Sequence, residues 1–73
     1  MNEYAFTVVI ERDEDGRYVA LCPALQGCFT DGETEEEAMR NIEDVIRLHI
    51  QDRLENGEPI PKEFGARLVR LSA

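Results

Sequence analysis

The sequence predicts a small α+β fold in the order β-β-β-α-β, in which an antiparallel meander carries one long helix on one face. Three observations lead to this prediction. The chain has 73 residues, which suffices for a single domain over residues 1–73. Its first third alternates apolar and polar residues with a period of two, as strands do. A later segment repeats apolar residues every three or four positions, as a helix packed along one side does.

Turn and strand signals divide the first half of the chain into three strands. The first strand is expected over residues 4–11, where apolar or aromatic residues occupy every even position. Asp13–Gly16 has the composition of a tight turn and leads to a second strand over residues 17–22. Pro23 ends that strand, because proline has no N–H for a ladder. A short third strand is expected within residues 25–32, which completes an antiparallel meander.

Capping signals place the helix in the second half of the chain. Thr34 is expected to cap its start, with Glu37 completing a capping box, and Gly57 is expected to close its end. A loop with two prolines follows, and residues 66–71 form the candidate for a fourth strand. The apolar stripe of the helix comprises Ala38, Met39, Ile42, Val45, Ile46, Ile50 and Leu54.

Negative charge is concentrated in the first half of the chain. The net charge is −8 overall. Residues 1–37 carry ten acidic and two basic residues, a net of −8, whereas residues 38–73 carry six of each. Such a field repels phosphate, so direct binding to DNA or RNA is not expected, and it attracts basic partners. Solubility alone is the alternative use of this charge.

The remaining composition argues against metal and membrane classes of protein. Cys22 and Cys28 are expected to be buried free thiols in a reducing compartment, since their spacing matches no metal or redox motif. His49 is the one histidine and has no second ligand at metal-binding spacing, so no metal and no cofactor is expected. The start of the chain lacks signal-peptide features and no apolar run could span a membrane, which predicts a cytoplasmic protein without membrane contact.

A series of short motifs resembles the HicB antitoxin family. In chain order the motifs are Asp15-Gly16, Tyr18-Val19, Pro23, Gly27-Cys28, Thr30-Asp31-Gly32-Glu33-Thr34, Glu36-Glu37-Ala38 and Gly57-Glu58-Pro59-Ile60-Pro61. Each motif is short, but their order and spacing together cover about residues 4–64. The resemblance implies a partial RNase H-like domain that pairs with HicA, a small basic RNA-cleaving toxin, and covers its catalytic histidine and RNA surface.

Longer HicB-like proteins add a C-terminal DNA-binding segment. This chain departs from that pattern because only nine residues follow Phe64. It therefore resembles a short, single-domain member, for which binding to operator DNA is not expected.

The function predicted first is that of a non-enzymatic, HicB-like antitoxin that occludes a basic ribonuclease of the HicA type. An anionic domain fits such a target, because a ribonuclease must present positive charge to RNA. The same acidic residues also serve turns and helix capping. The candidate partner-binding residues are Asp13, Glu14, Asp15, Asp31, Glu33, Glu35, Glu36 and Glu37.

Two alternatives remain open on the sequence alone. One is an orphan homo-oligomeric α+β protein that binds a small ligand or has a structural role without a toxin. The other is a metal-dependent nuclease, which would need carboxylates such as Glu11 and Asp31 to meet across strands. A homodimer or larger assembly is expected in any case, because so small a core with open sheet edges is marginally stable alone.

Overall fold

In the part of the chain that the structure describes, three antiparallel strands and one long helix make up the regular structure, as the α+β prediction requires. The computed structural model describes residues 3–63 and 67–72. The strands form one sheet in the order β1-β2-β3. The elements are β1 (Val9–Arg12), β2 (Tyr18–Leu21), β3 (Phe29–Gly32) and α1 (Glu35–Glu55).

The hairpin between β1 and β2 closes through the predicted acidic turn. The Asp13 N–H donates to the Arg17 carbonyl at 2.8 Å. The Asp13 carboxylate in turn accepts the N–H groups of Asp15 at 3.0 Å and Arg17 at 2.9 Å. Gly16 adopts φ 83°, a left-handed conformation that glycine reaches at low cost. The turn is therefore fixed by local chemistry that the sequence displays.

The first strand is shorter than predicted, although its alternation persists. Pairing begins at Val9, which lies opposite Leu21, because β2 ends there and Pro23 soon follows. Residues 3–8 consequently have no partner strand among the described residues. Three side chains of the predicted strand over residues 4–11 still pack against the core, and they are Phe6, Val8 and Ile10.

The predicted fourth strand is wrong where it can be compared with the structure. Residues 67–71 form no strand, and every one of them is exposed to solvent. Ala66, the first residue of the prediction, lies outside the described residues. Alternation alone does not make a strand, because a ladder also needs a partner whose backbone groups face it. The RNase H-like resemblance stays a prediction.

The helix begins with a variant of the expected cap. The Thr34 hydroxyl accepts the Glu37 N–H at 3.1 Å, as predicted. The Glu37 carboxylate accepts the N–H of Glu33 at 3.1 Å, one residue earlier than a standard capping box uses. At the other end Gly57 has φ 69° and its N–H donates to the Leu54 carbonyl at 3.3 Å. Both predicted helix ends are confirmed.

The core lies between the sheet and the first half of the helix. Six apolar core residues are buried in the part of the chain that the structure describes, and they are Ala20, Cys22, Leu25, Cys28, Ala38 and Ile42. A helix of 21 residues is about 31 Å long, whereas a strand of four residues spans about 13 Å. The second half of the helix therefore extends beyond the sheet. For this reason the prediction of an interior position is wrong for Leu54, which is 57% exposed. It is also wrong for Met39, which lies in the first half of the helix and is exposed at the edge of a groove beside Phe6 and Val8.

Two polar contacts tie chain segments to the sheet margins. The Glu63 carboxylate accepts the Thr7 N–H at 2.7 Å and the Thr7 hydroxyl at 2.6 Å, which lowers the pKa of Glu63. The Asn41 side-chain amide donates to the Asp31 carbonyl at 2.9 Å and so occupies an acceptor on β3. The described part of the chain contains no helix with the length and apolar character that crossing a membrane requires.

The two cysteines are buried free thiols, as predicted, and they lie side by side on neighbouring segments. Cys22 is 1% exposed and Cys28 is 3% exposed, and both are free thiols. The Cys22 N–H donates to the Cys28 carbonyl at 2.9 Å, which places the two residues directly opposite each other. Burial raises the pKa of both thiols above the ordinary value of 9.0.

This burial predicts a loss of stability in alkali. The unfolded chain ionises its thiols near pH 9.0, whereas the folded chain holds them neutral to higher pH. Their contribution is therefore complete below pH 9.0 and is lost as pH rises above it. Urea unfolding under reducing conditions at about pH 8 and pH 10 should show this fall. The free energy of unfolding should fall less between these two pH values in a Cys22→Ala/Cys28→Ala variant. An equal fall in the variant and the unaltered protein would contradict the prediction.

Candidate partner-binding surface

One face of the sheet is covered by the helix and the other is open to solvent. On the open face, Val9 lies opposite Leu21, and Leu21 lies opposite Phe29. Phe29 is 63% exposed, Val9 is 39% exposed and Leu21 is half-buried. We call these three residues the apolar row. Contiguous exposed apolar side chains of this kind are typical of a binding surface.

A second row on the same face carries negative charge. Here Glu11 lies opposite Val19, and Val19 lies opposite Asp31. The Arg17 side chain donates to the Asp31 carboxylate at 3.1 Å and lies 3.9 Å from Glu33. The bond to Asp31 raises the pKa of Arg17. Among the residues that the structure describes, Arg17 is the one arginine within ion-pair distance of the carboxylates beside the apolar row.

The strand register also gathers the predicted acidic residues at one end of the sheet. Tyr18 pairs with Arg12 on one side and Gly32 on the other, so the hairpin turn and the start of the helix lie at the same end. Gly16 and Glu35 accordingly line one shallow cleft, to which Arg12 also contributes. We call this region the acidic end, and it comprises Asp13, Glu14, Asp15, Glu33, Glu35, Glu36 and Glu37.

The predicted acidic residues differ in how far the fold already uses them. Asp13 is bonded within the turn, and Glu37 is half-buried and bonded at the helix cap. Other carboxylates of the acidic end are exposed and make no hydrogen bond or ion pair within residues 3–63 and 67–72. They are Glu14, Asp15, Glu35 and Glu36. These four are the best placed to meet a cationic partner.

The arrangement gives no support to a metal-dependent nuclease. Glu11 and Asp31 stand on either side of Val19, two strand spacings or about 10 Å apart, so they are not directly opposite each other as the nuclease alternative would need. In the part of the chain that the structure describes, no three His, Cys, Asp or Glu residues come together as metal ligands. His49 is half-buried at the margin of the helix.

The apolar row is the part of the surface that the sequence prediction missed. Val9, Leu21 and Phe29 lie in predicted strands, and the predicted partner-binding residues include none of them. The signal lay in the odd positions of the predicted strands, where Val9, Val19, Leu21 and Phe29 are all apolar. Aligning those positions required the cross-strand register, which a single strand pattern does not supply.

A family model of the HicB-like antitoxin of bacterial toxin-antitoxin systems matches residues 6–68, which include all three strands and the helix. The chain belongs to the HicB-like antitoxin family. The resemblance noted from the short motifs is thereby confirmed. The apolar row and the acidic end both lie within the matched residues, so they are features of this HicB-like domain itself.

Small proteins from distant organisms are similar to this HicB-like antitoxin. UPF0150 protein ssr1765 of Synechocystis is 45% identical over 60 residues, which cover 82% of this chain and 76% of that protein. UPF0150 protein Ta0767 of Thermoplasma acidophilum is 48% identical over 58 residues, which cover 80% of this chain and 84% of that protein. UPF0150 protein ssr1258 of Synechocystis is 48% identical over 52 residues, which cover 71% of this chain and 75% of that protein.

Proposed function

We propose that this HicB-like antitoxin binds a small basic RNA-cleaving toxin of the HicA type and occludes its RNA-binding surface. The observation that carries the proposal is the continuity of the open sheet face. The apolar row is followed by the row of Glu11, Val19 and Asp31, and that row leads directly into the acidic end. An apolar anchor and a negative field therefore share one side of the molecule.

The two parts of this surface have different physical tasks. Exposed aromatic side chains near the centre of an interface supply much of its affinity, which suits Phe29. Charges at the rim mainly speed the encounter and favour partners of opposite sign. A ribonuclease carries positive charge where RNA phosphates bind, so the acidic end complements such a surface. Binding there excludes RNA by steric and electrostatic means, without a catalytic step in the antitoxin.

The proposal places this activity in the cytoplasm, where cellular RNA is accessible to such a toxin. We do not propose that the antitoxin itself binds DNA, because its net charge of −8 repels phosphate.

Phe29→Ala is expected to weaken binding to a HicA-type toxin encoded beside this chain by at least about tenfold, roughly 1.4 kcal/mol. The measurement is calorimetric titration of the toxin, together with RNA cleavage by the toxin at increasing antitoxin concentration. Leu48→Ala is the matched control, because Leu48 on the helix is also 63% exposed. Equal losses of affinity in both variants would show that the toxin does not bind at the open sheet face.

The acidic end is tested by its effect on the rate of association. Glu35→Gln/Glu36→Gln should lower the association rate with the toxin and flatten its dependence on salt. Glu55→Gln/Glu58→Gln removes the same charge near the other end of the helix and should leave both quantities nearly unchanged. A toxin that neither binds the unaltered protein nor loses RNA cleavage in its presence would contradict the proposed function and favour the orphan alternative.

A further inference from the structure

The helix and the extended residues 3–8 enclose an apolar groove on the side of the molecule away from the open sheet face. Its volume is about 670 Å³. Tyr4, Phe6 and Val8 form one wall, and helix residues such as Ile46 and Ile50 form the other. Residues 3–8 have no partner strand among the residues that the structure describes. The Thr7 N–H in this stretch is bonded to Glu63 on the side that faces β2. By alternation, the outer edge at residues 4, 6 and 8 is the one that could accept a further strand.

The sheet is also open for pairing along β1. Asp13 is hydrogen-bonded to Arg17 across the hairpin, so by antiparallel alternation Glu11 and Val9 direct their backbone groups toward β2. The backbone groups of Ile10 and Arg12 then point away from β2, to the outside of the sheet. A row of outward backbone groups is the template on which another strand adds.

An apolar segment of the same chain remains outside the core. Residues 67–72, which we call the arm, are all exposed. Leu68 is 79% exposed, Val69 is 72% exposed and Leu71 is 88% exposed. The radius of gyration is 14.0 Å, compared with about 11 Å for a compact domain of this length, which agrees with a protruding segment.

The arm and the groove complement each other in pattern and charge. In an extended arm, Arg67, Val69 and Leu71 lie on one face, which would place two apolar side chains over the groove. The groove wall includes Glu43, whose charge is opposite to that of Arg67, and Arg47, whose charge is already paired with Asp44 at 3.1 Å. The arm carries two arginines and no acidic residue, whereas the first half of the chain has a net charge of −8.

We propose that two copies of this chain exchange arms, each arm adding as a strand beside residues 3–8 of the other copy and covering its apolar groove. The arm of the same chain does not cover the groove, since all its residues are exposed. Two identical exchanges form a closed two-fold dimer. The groove and the open sheet face lie on different sides, so this proposal is independent of the proposed function.

The first test is the mass in solution at micromolar concentration, measured by light scattering. The expected mass is twice 8.3 kDa. Val69→Asp/Leu71→Asp should reduce it to that of one chain while the circular dichroism of the helix is retained. Leu48→Asp, which alters an exposed apolar residue on the helix, should leave the dimer intact. A single-chain mass for the unaltered protein, or a dimer that tolerates the arm substitutions, would overturn the proposal.

A second test distinguishes exchange from docking within one chain. Copies carrying Val69→Cys are mixed with copies carrying either Glu43→Cys or Gln51→Cys, two positions on the groove wall. Mild oxidation should link the two kinds of chain, as a non-reducing gel would show. Failure of both mixtures to form this cross-link, while chains carrying both substitutions cross-link internally, would overturn the exchange and assign the groove to the chain's own arm.

Discussion

Ile42→Ala is expected to lower the free energy of unfolding by about 2–5 kcal/mol. Ile42 is fully buried and lies where the helix meets the sheet. Removing its side chain loses apolar burial and leaves a cavity, which the surrounding core of only six buried residues is too small to close by repacking. A domain of this size has a total stability of only a few kcal/mol. The variant is therefore expected to be largely unfolded or close to it.

The measurement is urea unfolding followed by circular dichroism, at one fixed protein concentration because self-association would add to stability. Leu48→Ala removes an apolar side chain from the same helix at a position that is 63% exposed. Its effect should stay within about 0.5 kcal/mol. Similar unfolding midpoints for the two variants would show that the core is not centred on Ile42.

Gly32→Ala is expected to cost about 1–3 kcal/mol, because the added methyl group has no room. A Cβ at this position would lie 2.6 Å from the backbone nitrogen of Ala38 and 3.1 Å from its Cα. The obstructing atoms belong to the backbone of the first helical turn, which cannot rotate aside as a side chain would. The helix must then move away from β3, and the packing of Ala38 is lost with it.

This prediction is checked by thermal unfolding and by amide chemical shifts. Gly32→Ala should lower the melting temperature and shift the amide resonances of the first helical turn. Glu33→Ala, a change at the adjacent exposed residue, should alter stability by less than about 0.5 kcal/mol. A melting temperature for Gly32→Ala equal to that of the unaltered protein would contradict the close approach of β3 and the helix.

Local chemistry explains which parts of the fold were predictable. The bounds of the helix follow from Thr34 and Gly57, whose roles depend on residues within one turn of chain. The hairpin turn follows from Asp13 and Gly16 for the same reason. The prediction of the fourth strand at residues 66–71 had no such local support. A strand needs a partner distant in sequence, and its own alternation does not name that partner.

The candidate site was predictable in charge but not in shape. The sequence indicated that the acidic residues would be exposed in a turn and at the start of a helix, and the structure places these two segments at one end. The apolar row depends on Val9, Leu21 and Phe29 being aligned across three strands. That alignment follows from the register, which the turn Asp13–Gly16 and the loop before Phe29 determine jointly.

The bond from the Asn41 amide to the Asp31 carbonyl limits how this sheet can grow. A foreign strand laid along β3 would have to displace that amide, whereas residues 3–63 and 67–72 place no side-chain hydrogen bond on the outward backbone groups of Ile10 and Arg12 at the opposite margin. Extension from a single margin ends once that margin is satisfied, so the geometry disfavours runaway, fibril-like stacking of chains. We therefore expect the Asn41 side-chain amide to limit aggregation in a protein whose small core leaves little reserve of stability.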